Sequence, residues 1–313
     1  MKSGLAIILC YSSILFAGCS SSKQDETVSP KAQPNESSAF WAHHYNTITD
    51  VPYGSHSDQR VDIYTYGSYV GEPSWFQRSS DRKPTFVWFH GGGWRFGNKE
   101  TDAWFFMHFM ERGWNVVNVE YRKGLSTAPD AAEDALLVMK WIRDNAEEYR
   151  FDTNRIVVSG ASAGGHLALL AGLVNSVAGS HPSYVGDDMR IQAIVNWYGH
   201  SDLQKMDSYL QANKPETNFV MNWLNEDQRL SEFSKKYSPI HYVTETAPPV
   251  LTIQGSLDSF NPLDQVVSLH NKLDKANTKN QLLILEGGTH LGFSEEQFQL
   301  IFKTIFDFLE VHP

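Results

Sequence analysis

The feature that most constrains this chain is a repeated alternation. Short apolar runs that end in glycine or polar residues alternate with segments of helical spacing. "PTFVWFHGGG", "NVVNVEY", "RIVVSG", "IQAIVNWYG", "PPVLTIQGS" and "QLLILEGG" are such runs, and "RVDIYTYGS" reads as a further strand bounded by turns. Short runs that stay apolar without alternating suit strands covered on both faces. Between them, "APDAAEDALLVMKWIRDNA" puts Ala132, Ala135, Leu136, Met139 and Ile142 on one helical face. "EEQFQLIFKTIFDFLEV" does the same with Phe298, Ile301, Phe302, Ile305 and Leu309. Pro262 suits the first turn of another helix. Helices between strands imply parallel crossovers, so the pattern predicts one three-layer α/β domain over residues 40–313, with a mostly parallel sheet and helices on both faces. Residues 200–247 break the rhythm and are too long for an ordinary connection, which points to an inserted lid.

Ahead of that domain, residues 1–18 carry Lys2, an apolar run from Leu5 to Ala17 and then small residues, the layout of an export signal. The run is too short and interrupted for a comfortable transmembrane helix. "LFAGC" resembles the lipobox of bacterial lipoproteins, with Phe16 where leucine is commonest. The resemblance implies lipidation of Cys19, a membrane partner through that N-terminal anchor, and residence in the bacterial cell envelope. Ser20, rather than aspartate, favours the outer membrane if the host is Gram-negative. Residues 19–39, rich in Ser, Gln, Asp, Glu and Pro, read as a disordered tether.

Charge removes one class of partner. The chain has 26 basic and 36 acidic residues, a net of −10, and no basic stripe, so no nucleic-acid partner is expected. Its two cysteines, Cys10 and Cys19, both lie near the N-terminus, so the rest of the chain forms no disulfide. No histidine–cysteine spacing suits a metal, and neither metal nor organic cofactor is expected.

The chemistry gathers at "VSGASAGGHLALLAGL", where Ser162 stands among glycines and alanines between a predicted strand and a predicted helix. Small residues there allow a sharp turn that projects the hydroxyl. Bulk at Gly160 or Gly164 would push the strand off the helix. In this context Gly160–Gly164 resembles the nucleophile elbow of α/β-hydrolases, which implies that fold, with Ser162 as nucleophile. "FHGGGWRFG" resembles the oxyanion loop of an esterase and lipase branch. By that resemblance Gly92, Gly93 and Ala163 donate to the oxyanion, and His90 is structural.

A hydroxyl needs a base. His290, between the last predicted strand and the last predicted helix, stands where the family carries its catalytic histidine. His166, on the elbow helix, suits packing or hydrogen bonding, and His43, His44 and His312 lie near the ends. "IQGSLDSFNPLDQ" resembles the family's acid loop, with Asp258 followed by Pro262; Asp264 is the lesser candidate.

The resemblance runs from about Asp62 to the C-terminus and is closest to bacterial acetyl-xylan and feruloyl esterases. It implies a serine ester hydrolase acting on a small-molecule or oligosaccharide ester, with a short acyl group. Trp94, Phe96, Trp197, Tyr198, Tyr209, Phe219, Trp223, Phe233 and Tyr237 offer faces for a sugar or packing for the lid. An amidase or formamidase, a peptidase and an inactive hydrolase used as a binding module remain as alternatives. Oligomeric state stays open.

Overall fold

A computed structural model describes residues 44–67, 82–182, 188–225 and 228–313. The signal at 1–18, Cys19 and the tether at 19–39 lie outside the described residues. Among the described residues no helix is long and apolar enough to cross a membrane.

Eight strands among the described residues form one sheet: β1 Tyr45–Pro52, β2 Arg60–Tyr66, β3 Lys83–Phe89, β4 Asn115–Glu120, β5 Phe151–Ala161, β6 Ile191–Trp197, β7 Val250–Gly255 and β8 Asn280–Leu285. Their order is β1-β2-β4-β3-β5-β6-β7-β8. β1 and β2, and β2 and β4, pair antiparallel; β3 onward is parallel. The expected mostly parallel three-layer architecture is therefore present. All residues of β6 and β7 are buried, as their composition requires. β8 departs from that expectation: it is the other edge of the sheet, paired on one side only, and buries Leu285 alone.

Helices cover both faces. On one side lie α1 Trp104–Met110 and the C-terminal helix α9 Glu295–Glu310. On the other lie α2 Asp130–Asp144, the short α3 Ala146–Tyr149 and α4 Ala163–Val174. The apolar face read from α2 is buried as expected. α9 buries Ile301, Phe302, Ile305 and Leu309, and Phe298 is half-buried. α4 is buried on every side, because α2 and the inserted segment cover what the sheet does not. α8, Leu263–Lys275, begins one residue later than the sequence predicts, with Pro262 as its extended N-cap.

The segment 200–247 forms α5 Leu203–Asn213, a 3₁₀ turn at Pro215–Thr217, α6 Phe219–Trp223, α7 Leu230–Tyr237 and a second 3₁₀ turn at Pro239–Tyr242. Leu203, Met206, Leu210, Val220, Trp223, Phe233 and Tyr237 join the main apolar cluster. Those residues belong to the core, while Glu216, Thr217, Phe219, Asn222 and the edge of Trp223 line a cavity.

Candidate active site

Parallel strands place their carboxyl ends on one edge, and the loops leaving β3, β5, β7 and β8 gather there. The elbow comes first. Ser162 sits at φ 56° and ψ −118°, between β5 and α4. A residue held there costs of order 1–3 kcal/mol, so its surroundings must impose it. They do: the Ser162 N–H donates to Trp197 O at 2.9 Å, and Ser162 O accepts from His166 N at 3.0 Å. A Cβ on Gly160 would lie 2.4 Å from Gly164 O, and one on Gly164 would lie 2.1 Å from Phe89 O. This is the crowding the sequence implies at those two glycines.

His290 is brought to the serine from beyond β8. The Ser162 hydroxyl donates to His290 Nε2 at 2.8 Å, and His290 Nδ1–H donates to Asp258 Oδ2 at 2.8 Å. These roles follow from the carboxylate. Its pKa is lowered by the His290 hydrogen bond and charge and by the Asn261 and Phe260 amides, against a burial penalty that is the largest single influence. It accepts, so Nδ1 carries the proton and Nε2 is free to take one. Ser162, His290 and Asp258 thus stand in one hydrogen-bonded line. Asp264 does not reach it: it lies in the first turn of α8, is largely exposed, and pairs with Lys205 at 2.9 Å.

The oxyanion loop turns tightly after β3. Gly92 has φ +126° and Gly93 φ +60°. Gly92 O accepts from Arg95 N at 3.1 Å and Phe96 N at 2.9 Å. A Cβ on Gly92 would fall 2.1 Å from Phe96 O, so the turn admits only glycine there. Among the described residues, the N–H groups of Gly92 and Gly93 donate to no protein acceptor. Ala163 opens α4, where an amide has no intrahelical acceptor. His90 is fully buried, donates from Nδ1 to Gly91 O at 2.7 Å and stacks on Tyr121 at 4.2 Å. It holds the base of the loop. Trp94 anchors the far side: it is buried, stacks on Trp223 at 4.4 Å and donates to His166 Nδ1 at 3.2 Å.

Two cavities of about 340 Å³ each flank Ser162, and both reach His290. Arg95, Phe96, His200, Glu216, Phe219 and Phe260 help line one. Thr101, Asp102, Phe105, Tyr198 and Leu291 help line the other. Most of the aromatic residues offered as sugar faces are buried: Trp94, Trp197, Tyr198, Trp223, Phe233 and Tyr237. Of the nine, Phe96, Phe219 and Trp223 line the first cavity and Tyr198 the second. Phe260, which the sequence did not single out, also lines the first.

A polar network behind the acid was also missed. Gln254 Nε2 donates to Asp258 Oδ2 at 3.1 Å and to Asn261 O at 2.8 Å. Asn261 Nδ2 donates to Gln254 Oε1 at 3.2 Å and to Gly199 O at 3.3 Å. One signal was available. Gln254 interrupts the apolar run of a strand buried on both faces, and a buried amide there needs a partner.

His166 and His200 are fully buried, and burial lowers their pKa to about 4 and about 3. Unfolded histidine takes its proton near pH 6.5. Between that value and the folded values the unfolded state binds more protons. Stability is therefore complete above about pH 6.5 and is lost as pH falls toward 4 and 3. Going from pH 7.5 to 5 should lower the unfolding free energy by up to about 2 kcal/mol per histidine. Urea melts at the two pH values check this, and an unmoved midpoint contradicts it.

Among the described residues, no cluster of three or more His, Cys, Asp or Glu side chains is placed to hold a metal ion.

The BD-FAE family model matches residues 76–273, more than half of the chain. The chain belongs to the BD-FAE family. The matched stretch includes the oxyanion loop, the elbow and the acid loop, and ends before His290. This BD-FAE chain is 27% identical to Esterase LipC of Mycobacterium tuberculosis over 274 residues, 83% of this chain and 63% of the relative. It is 32% identical to Esterase LipQ of the same organism over 222 residues, 69% of this chain and 50% of the relative. It spans about half the length of LipQ and of "Probable carboxylic ester hydrolase LipM", also of Mycobacterium tuberculosis. Solved structures share the α/β-hydrolase fold. A truncated carbohydrate esterase from gut microbiota matches at TM-score 0.67 and 23% identity, over 85% of this chain and 97% of that one. The propionate-bound esterase Est2 of Thermogutta terrifontis matches at 0.64 and 23%, over 86% and 94%.

Proposed function

We propose that this BD-FAE chain is a serine carboxylic-ester hydrolase that works through an acyl-enzyme. The carrying observation is the hydrogen-bonded line Ser162–His290–Asp258 beside the unengaged amides of Gly92 and Gly93. Ser162 Oγ attacks the ester carbonyl carbon while His290 Nε2 takes the hydroxyl proton. The carbonyl oxygen gains the negative charge and meets the N–H groups of Gly92, Gly93 and Ala163. Collapse breaks the bond to the alcohol, which leaves with the proton from His290. Water then repeats the sequence, giving the carboxylic acid and restoring Ser162. Asp258 holds the imidazole in the required tautomer and supports its charged form. A fluorophosphonate probe tests this: the active chain is labelled at Ser162, and an inactive binding module is not.

The substrate reading goes further. We infer short acyl groups, acetyl foremost, or else a feruloyl group, on a carbohydrate alcohol. The likeness to acetyl-xylan and feruloyl esterases and the two small cavities beside Ser162 support it. A long acyl chain gains about 0.8 kcal/mol per buried methylene only where a groove receives it. Turnover of nitrophenyl esters should peak between acetyl and butyryl, and acetylated xylan oligomers should release acetate. Rates that climb to palmitoyl, with no acetate released, replace this reading with a lipase.

We also propose that the chain is exported and anchored by lipid on Cys19. Mass spectrometry of the mature N-terminus in the native host should show a lipidated Cys19. An unmodified start downstream of it removes the anchor.

A further inference from the structure

One side chain of the Phe96 cavity has an unexplained polar atom. His200 follows β6 and is 1% exposed. Asn261 uses both amide hydrogens on Gly199 O and Gln254 Oε1, so its Oδ1 is the acceptor and His200 Nδ1–H the donor, at 3.1 Å. That assignment leaves His200 Nε2 with a bare lone pair. It has no protein partner among the described residues, and it is not sealed away from solvent. His200 lines the cavity that holds Ser162 and His290. Phe219 packs 5.0 Å and Trp94 5.7 Å from its ring, so the walls around it are apolar.

We propose that His200 Nε2 is a specificity-determining acceptor that takes a hydrogen bond from a ring hydroxyl of the substrate in the Phe96 cavity. The assignment rests on the ester-hydrolase reading and adds to it what the substrate must carry. A neutral lone pair calls for an uncharged O–H or N–H donor and disfavours a carboxylate or phosphate. The aromatic walls formed by Phe96, Phe219 and Phe260 call for a ring. A ring without the hydroxyl would strip water from Nε2 and return no bond. Burial keeps the imidazole neutral throughout the working pH range.

Two sources share this chemistry: a sugar-like alcohol and a hydroxylated aromatic acyl group. The experiment uses matched ester pairs that differ by one hydroxyl. trans-2-Hydroxycyclohexyl acetate against cyclohexyl acetate reads the alcohol half. Methyl 4-hydroxycinnamate against methyl cinnamate reads the acyl half. The full chain should prefer the hydroxylated member by at least tenfold in kcat/KM in one arm, and that arm identifies the half. His200→Leu should bring the ratio close to one, and His200→Gln, which keeps an acceptor near Nε2, should retain most of it. A role only through Asn261 and the acid loop lowers both members of a pair equally and leaves the ratio alone. That outcome, or no preference in either arm, overturns the proposal. Binding of methyl xyloside and p-cresol, read by saturation-transfer NMR, separates this failure from that of the hydrolase reading. If no ester is turned over, the hydrolase reading fails. Binding of one ligand that is lost in His200→Leu and kept in His200→Gln then still supports the acceptor, and binding unaffected by His200→Leu, or absent altogether, overturns it.

Discussion

Ser162→Ala should reduce ester turnover by about a millionfold and leave the fold in place. The size of the loss follows from how a triad works as a unit: removing the nucleophile costs about as much as removing every member. Residual catalysis of roughly a thousandfold over water should remain, because the amides of Gly92, Gly93 and Ala163 do not depend on the hydroxyl. Alanine keeps the Cβ and the Ser162 backbone bonds to Trp197 and His166, and removes one hydrogen bond, to His290. Such a bond is worth about 1 kcal/mol net, so the melting temperature should move by only a few degrees. The checks are turnover of nitrophenyl acetate by enzyme free of parent protein, and a thermal melt. Turnover within a few-fold of the parent places the nucleophile elsewhere.

The architecture was legible because its central strands, β3 to β7, are covered on both faces along most of their length and appear as apolar runs. The loops carrying Gly92, Ser162 and Asp258 follow such strands; His290 follows β8, an edge strand that buries only Leu285 and yet keeps the apolar run Leu282–Leu285. β1 was not legible. It is an edge strand that buries only Tyr45, so nothing in "YNTITDVP" forms an apolar run. α1 was hidden for the opposite reason. "WFFMHFM" is apolar at nearly every position and carries no helical period. Neither local signal competes with what tertiary packing decides.

Within the site, Ser162, His290 and Asp258 were legible because each stands at a loop with a recognisable neighbour pattern. The aromatic residues were not. Trp94 and Phe96 lie two positions apart on the same loop, yet Trp94 is buried against Trp223 while Phe96 is 62% exposed at the cavity. Composition cannot separate those fates; the direction of the turn at Gly92 and Gly93 does. Of the support around Asp258, Gln254 alone left a signal in the sequence, as an amide inside an apolar strand; its partners left none. Gln254, Asn261 and His200 come from two separate loops and a strand end, and no spacing links a histidine after β6 to an asparagine after β7.

That support makes the second large prediction sharper than a generic loss. Asp258→Asn should lower kcat about ten-thousandfold, as an amide in place of the acid does in triads of this kind. Here the geometry dictates which way the new amide turns. Asp258 Oδ1 accepts from Phe260 N at 2.8 Å and Asn261 N at 2.9 Å. Two backbone donors require an oxygen, so the amide nitrogen must take the place of Oδ2, facing His290 Nδ1. An N–H pointing there selects the tautomer with a bare Nδ1, which puts the proton on Nε2 opposite Ser162. The base is then occupied by its own proton, and the hydroxyl has nowhere to send its own. The same amide also meets the Gln254 Nε2 donor, so stability should fall modestly as well. Asp264→Asn is the control. Its carboxylate is 63% exposed and bound to Lys205, so kcat should stay within about threefold of the parent. The comparison is kcat at saturating nitrophenyl acetate for both variants, with pH held where the parent is fully active. A large loss at Asp264 and a small one at Asp258 would move the acid from the loop to the helix and undo the assignment of the line Ser162–His290–Asp258.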